Sequence, residues 1–191
     1  MMDEAKRIVL LLGGARSGKS YFALQEAQNY TRVLFVATAE AGDEDMRKRI
    51  EKHKQDRPFH WRTLEATGRL GVRISAAYQG EDLVIIDCIT LLINNILCTV
   101  PEDQYETIDE SVLQKQVVAE IEGLEHCIEK TAAAFIIVSN EVGLGVVPAF
   151  RSGRLYRDLL GRANQMLAQT ATEVYLLVAG IPLRVKPQAR Q

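Results

Sequence analysis

Short runs of Val, Ile and Leu recur along the chain at Ile8–Leu12, Val33–Ala37, Leu83–Ile86, Phe135–Val138 and Val174–Val178. None alternates apolar with polar residues, so each predicts a strand covered on both faces, as strands of a parallel sheet are. Between the runs, apolar positions recur at helical spacing over Tyr21–Gln28, Glu44–Lys54, Ile89–Leu97, Glu110–Glu129 and Leu155–Gln169. Strand and helix alternate, which predicts an α/β fold with a mostly parallel sheet flanked by helices. Leu183-Arg184-Val185, after Pro182, is a candidate last strand, hairpin-paired with Val174–Val178 through Gly180. Gly80-Glu81-Asp82 and Pro101-Glu102-Asp103 read as turns. No internal repeat or linker interrupts the pattern, and 191 residues suit a single domain over 1–191.

Composition removes several classes of partner. With 47% hydrophobic and 25% charged residues the chain can bury one core, and its net charge of −2 gives no basic field for a polyanion. Nucleic acid is therefore not an expected partner; small molecules are. No apolar run approaches the roughly 20 residues that span a bilayer. The acidic start Met1-Met2-Asp3-Glu4 and the Gly-rich turn after the first apolar run are unlike a signal peptide, so a cytoplasmic location is expected. Cys88, Cys98 and Cys127 are an odd number at wide spacings and are expected to be reduced, mostly buried thiols. His126 beside Cys127 makes no metal site, since helical neighbours diverge by about 100°.

The segment Gly13-Gly14-Ala15-Arg16-Ser17-Gly18-Lys19-Ser20 changes the picture. It matches G-x-x-x-x-G-K-[ST] at every fixed position, with a strand leading in and a helix leading out, the sequence of a P-loop NTPase-type fold. The glycines let successive N–H groups surround phosphate oxygens, and the helix start adds its positive dipole end. Lys19 is expected to reach the β- and γ-phosphates of GTP or ATP, and the Ser20 hydroxyl to be a ligand of Mg²⁺. Asp87 closes the run Leu83–Ile86 at a strand's carboxyl end, where it is expected to support Mg²⁺ directly or through water. It also suits the cap of the helix starting near Ile89, and the two roles are compatible.

Gly42-Asp43-Glu44-Asp45 supplies a cap and an acidic first turn for the next helix, and Arg57-Pro58 stops it. Met46, Ile50 and His53 fall at i, i+4 and i+7, so His53 is expected on the side turned toward the protein. Taken alone, an imidazole there reads as a packed or capping residue rather than a catalyst, since a protonated histidine suits the dipole at a helix C-terminus.

Several segments together carry a family resemblance. The phosphate loop is followed by Val36-Ala37-Thr38, then Arg49-Ile50-Glu51-Lys52-His53-Lys54-Gln55-Asp56-Arg57-Pro58, Trp61-Arg62-Thr63 and Glu65. Asp87-Cys88-Ile89-Thr90, Asn140-Glu141-Val142-Gly143-Leu144-Gly145-Val146-Val147-Pro148 and Gly161-Arg162-Ala163-Asn164-Gln165 continue in the same order. The set resembles the bifunctional adenosylcobinamide kinase/adenosylcobinamide-phosphate guanylyltransferases over nearly the whole chain.

The resemblance implies a cobalamin-biosynthesis enzyme. It would phosphorylate adenosylcobinamide with GTP, or with ATP, and then transfer GMP from GTP to adenosylcobinamide phosphate through a guanylylated histidine. His53 matches that nucleophile, and Lys52 stands where relatives often carry a second histidine. By the same resemblance Gly13–Ser20, Val36, Ala37, Thr38, Lys54, Gln55, Asp56, Arg57, Glu65 and Asp87 line the nucleotide site, and the assembly is a homotrimer. Some relatives carry Glu at Asp87, which shortens this chain's reach by one methylene. Without the resemblance Glu65 reads as a solvent-facing strand residue. The competing reading is a small-molecule kinase with no covalent step at His53. A nucleotide-sensing switch is disfavoured, since the chain contains no N-K-x-D segment.

Overall fold

The computed structural model describes residues 6–39, 44–55 and 57–187. In chain order the elements are β1 (Ile8–Gly13), α1 (Lys19–Ala27), β2 (Val33–Ala37), α2 (Glu44–Gln55), β3 (Arg62–Glu65), α3 (Leu70–Ala77) and β4 (Leu83–Asp87). There follow α4 (Ile89–Leu97), a 3-10 turn at Glu102–Gln104, α5 (Glu110–Lys130), β5 (Ala134–Val138), α6 (Arg151–Thr170), β6 (Glu173–Val178) and β7 (Ile181–Lys186). One seven-stranded sheet results, in the order β3-β2-β4-β5-β1-β6-β7. All neighbours are parallel except β6 and β7, which form the expected antiparallel hairpin around Gly180.

The continuous apolar runs are buried because the sheet has helices on both faces. On one face Leu10, Val36, Ile86 and Phe135 pack in a cluster with α4, α5 and α6. The stripe Leu113, Val117, Ile121, Leu124 and Ile128 turns α5 inward at helical spacing. On the other face Val9, Leu11, Phe35, Ile85 and Ile136 meet Ala23 and Ala27 of α1, together with Trp61. Small residues on α1 keep that helix close to the sheet beneath the phosphate loop.

Two elements lie outside the apolar pattern. β3 reads Arg-Thr-Leu-Glu and is largely exposed at the sheet edge, so no hydrophobic run announces it. α3 buries only Leu70, Gly71 and Ile74, too few positions for a period. Its start is fixed from a distance: the Glu120 carboxylate accepts from the Arg69 N–H at 2.9 Å and the Leu70 N–H at 2.7 Å. α6 also begins four residues earlier than its apolar spacing shows, at Arg151. The cysteines correct an expectation, since only Cys127 is buried, whereas Cys88 is partly exposed and Cys98 exposed; all three are free thiols.

α3 crosses α5 through glycine. A Cβ on Gly71 would lie 2.0 Å from the carbonyl oxygen of Gly123 and 2.5 Å from its carbon, both backbone atoms that cannot turn aside. Gly71→Ala must push the helices apart, and overpacking of this kind costs about 3 kcal/mol. Urea unfolding should show a lower midpoint at unchanged slope. A wild-type midpoint would mean that the two backbones are not in contact.

Candidate nucleotide site

The chain leaves β1 at Gly13, whose φ of 151° and surroundings exclude a side chain: a Cβ there would sit 2.6 Å from the Leu177 carbonyl oxygen. At the loop's other end Gly18 adopts φ 95° and begins α1, with room for a Cβ limited by the Gly180 Cα at 3.1 Å. The Gly180 N–H donates to the Ser17 carbonyl at 2.9 Å. The β6–β7 hairpin is thus the bed of the phosphate loop, a role its sequence does not announce because the contacts join residues far apart in the chain.

Lys19 is buried, with its ammonium turned into the loop. It donates to the carbonyls of Gly13 at 2.9 Å and Gly14 at 2.7 Å, and to the Ser17 hydroxyl at 3.4 Å. Burial pulls its pKa below the ordinary lysine value, partly offset by Cys88 and by the Asp87 carboxylate. The Cys88 thiol is itself pushed up to about 11, by burial and then by Asp87, so it stays protonated at neutral pH and only Asp87 is an effective counter-charge.

Asp87 ends β4, level with Ala37 of β2 and Val138 of β5. The cap position of α4 belongs to Cys88, not Asp87, so the capping alternative is set aside. Val36 and Ala37 are buried strand residues, and Thr38 has no exposure at all. The Thr38 hydroxyl donates to the Cys88 carbonyl at 2.6 Å and accepts from its N–H at 2.8 Å, so these three residues shape the edge rather than present side chains to a ligand.

Polar residues that the sequence left without a role hold this edge together. The Asn95 amide on α4 donates to the carbonyls of Thr38 at 3.1 Å and Thr67 at 3.0 Å. Asn164 on α6 accepts from the Ser139 hydroxyl at 2.7 Å and donates to the Asn140 carbonyl at 3.0 Å. The Glu141 N–H donates to the Gly13 carbonyl at 3.0 Å, joining the Asn140-Glu141 loop to the phosphate loop. The available signal was polarity out of place: Asn164 shares the inward face of α6 with Leu160, Ala163 and Leu167.

A cleft of about 470 Å³ opens beside the loop, lined by Ser20, Tyr21 and Gln25 of α1 and by Phe35, Arg57 and Asp87. Arg57, just beyond α2, lies with its guanidinium carbon 3.8 Å from the centre of the Phe35 ring. Burial lowers its pKa, and the negative charges of Asp87 and Glu65 partly oppose that shift. Lys54 and Glu65, both predicted at the nucleotide, pair with each other at 2.9 Å. The Glu65 carboxylate holds the Lys54 ammonium above its ordinary pKa, and both side chains stay largely in solvent.

Arg16 and Gln55 are exposed and Arg57 is partly buried. His53 lies on α2, but its side chain, like Asp56 and the expected cap Gly42-Asp43, is outside the described part of the chain. His60 is exposed, with its ring edge-on to Phe59 at 5.6 Å.

Among the described residues no group of three or more His, Cys, Asp or Glu side chains is placed to hold a metal. The Ser20 hydroxyl and the Asp87 carboxylate do share the cleft. Two hard oxygen donors suit Mg²⁺, which takes one or two protein ligands and completes its shell with water and substrate phosphates. Among the described residues, no helix is long and apolar enough to cross a membrane.

Comparison with known proteins adds to this geometry. The family model described as cobinamide kinase / cobinamide phosphate guanyltransferase matches residues 9–185. The bifunctional adenosylcobalamin biosynthesis protein CobU of Escherichia coli (strain K12) is 38% identical over 180 residues, covering 94% of this chain and 99% of that protein. The bifunctional adenosylcobalamin biosynthesis protein CobP of Pseudomonas aeruginosa is 37% identical over 179 residues, covering 93% and 96%. Among solved structures, the assembled ATPase EscN of the enteropathogenic E. coli type III secretion system superimposes with a TM-score of 0.54 at 9% identity, over 91% of this chain and 43% of that one. At that identity the likeness speaks for the fold, that of P-loop ATPases.

Proposed function

The chain belongs to the cobinamide kinase / cobinamide phosphate guanyltransferase family, and from that premise we propose that both reactions draw on one GTP site built on the Gly13–Ser20 loop. In the kinase step the hydroxyl of adenosylcobinamide attacks the γ-phosphorus of GTP. The new O–P bond forms as the bond to the bridging oxygen breaks, GDP leaves and the hydroxyl proton passes to water. ATP is an alternative donor in this step.

In the second step an imidazole nitrogen of His53 attacks the α-phosphorus and pyrophosphate leaves. The guanylyl group then passes to a phosphate oxygen of adenosylcobinamide phosphate, which yields adenosylcobinamide-GDP and restores the imidazole. A neutral imidazole is a good nucleophile near pH 7, and the phosphoramidate divides one difficult transfer into two easier ones. Glu65 is the proposed acceptor for guanine or ribose.

The observation that carries this reading is that Ser20, Asp87 and Arg57 line one cleft beside a phosphate loop with its lysine in place. Ser20 and Asp87 are the residues that would hold Mg²⁺, which neutralises charge on the phosphates. Lys19 and Arg57 add two cations on the same side of the sheet, where pyrophosphate or GDP departs.

Incubating the protein and adenosylcobinamide with GTP labelled at the α- or the γ-phosphate separates the readings. We expect Mg²⁺-dependent passage of the γ-label to the corrinoid, and α-label retained on the protein until the phosphorylated corrinoid accepts it. Passage of γ-label with no protein-bound α-label at any time would leave a kinase without the covalent step.

A further inference from the structure

Arg57 is built into the cleft in an unusual way. Its Nη1 is buried and has no hydrogen-bond partner among the described residues. A buried guanidinium N–H without an acceptor is costly, so such a group calls for a reason. Its planar face rests on the ring of Phe35, 3.8 Å from guanidinium carbon to ring centre, in the middle of β2. Phe35 is only 3% exposed and belongs to the core under α1. Leucine would fill a strand core as well, but only an aromatic face gives a guanidinium a flat, attractive seat. Ser20 and Asp87 line the same cleft as Arg57 and Phe35. The Arg57 N–H also closes the end of α2 on the Lys54 carbonyl at 3.3 Å, which ties the helix carrying His53 to this seat.

We infer that Phe35 is a positioning residue for Arg57, holding the guanidinium so that its unpartnered Nη1 N–H meets a phosphate oxygen of the bound nucleotide. This inference rests on the GTP site proposed above. Phe35 itself touches no reacting atom.

The test is a double-mutant cycle on the full chain, read as the dissociation constant for Mg²⁺-GTP. Phe35→Leu should weaken binding about fivefold to tenfold, the range of a partly desolvated cation–π contact. In an Arg57→Ala background the same change should weaken binding no further, a coupling that a merely structural phenylalanine would not show. Equal losses in both backgrounds, or none in either, would overturn the inference. Arg57→Lys keeps the protein testable should Phe35→Leu fail to fold. Lysine preserves the charge but cannot stack flat, so it should bind GTP nearly as weakly as Arg57→Ala, and wild-type affinity in Arg57→Lys would overturn the inference as well. Failure of the wild-type protein to bind Mg²⁺-GTP is a distinct result, which overturns the nucleotide site itself.

Discussion

Lys19→Ala should lower the kinase and guanylyl-transfer rates together, each by on the order of 100-fold or more, the usual loss when one preorganised group stabilising transition-state charge is removed. The coupling of the two losses follows from the architecture. One ammonium stands over the Gly13–Ser20 loop, held by the carbonyls of Gly13 and Gly14, and the sequence contains the G-x-x-x-x-G-K-[ST] segment once. In the proposed mechanism both reactions place a triphosphate there, so both lose the same cation.

The substitution should leave the fold intact. Lys19 opens α1, alanine is the best helix former, and losing a buried ammonium also removes its desolvation cost. Thermal unfolding of the variant therefore serves as the control. Wild-type Mg²⁺-dependent turnover of both steps in a folded Lys19→Ala protein would remove the loop from the mechanism.

What the sequence made legible was local. Uninterrupted Val, Ile and Leu runs located five of the seven strands because parallel strands are buried on both faces, and a sixth followed from its turn at Gly180. The phosphate loop was legible for a similar reason, since its chemistry lies in eight consecutive residues. β3 and α3 escaped because the first is an exposed edge of four residues and the second has only a single turn's worth of core positions.

The site was legible in its charges and not in its supports. The sequence gives no sign that Gly180 lies against Gly18, that Asn95 ties Thr38 to Thr67, or that Glu141 leans on Gly13, because each is a contact between distant segments. Arg57 shows the division within one residue. Beside Pro58 it reads as a helix stop, the family resemblance places it at the nucleotide, and only the folded chain sets its guanidinium on Phe35.

The most specific expectation concerns His53→Ala, which should abolish both protein labelling from α-labelled GTP and the guanylyl transfer that depends on it, while phosphorylation of adenosylcobinamide persists. The two steps ask different things of the chain. Attack by the substrate hydroxyl on the γ-phosphorus needs positioning and charge, which in the proposed mechanism come from Lys19, Arg57 and the loop, and no protein atom becomes covalently modified. Attack on the α-phosphorus through the protein needs a nucleophile that is neutral near pH 7 and can later leave, which alanine cannot provide. His53 lies near the end of α2, in a position where alanine is a good helix former, so loss of function with the fold retained is the expected pattern.

His60 is the control, being exposed beyond Pro58 with its ring against Phe59. His60→Ala should keep the label. The adduct carries its own signature, since a histidine phosphoramidate is lost in acid and survives mild base, whereas a serine ester survives acid. An acid-stable adduct, or one lost in His60→Ala and kept in His53→Ala, would move the nucleophile off α2 and leave the kinase half of the mechanism standing.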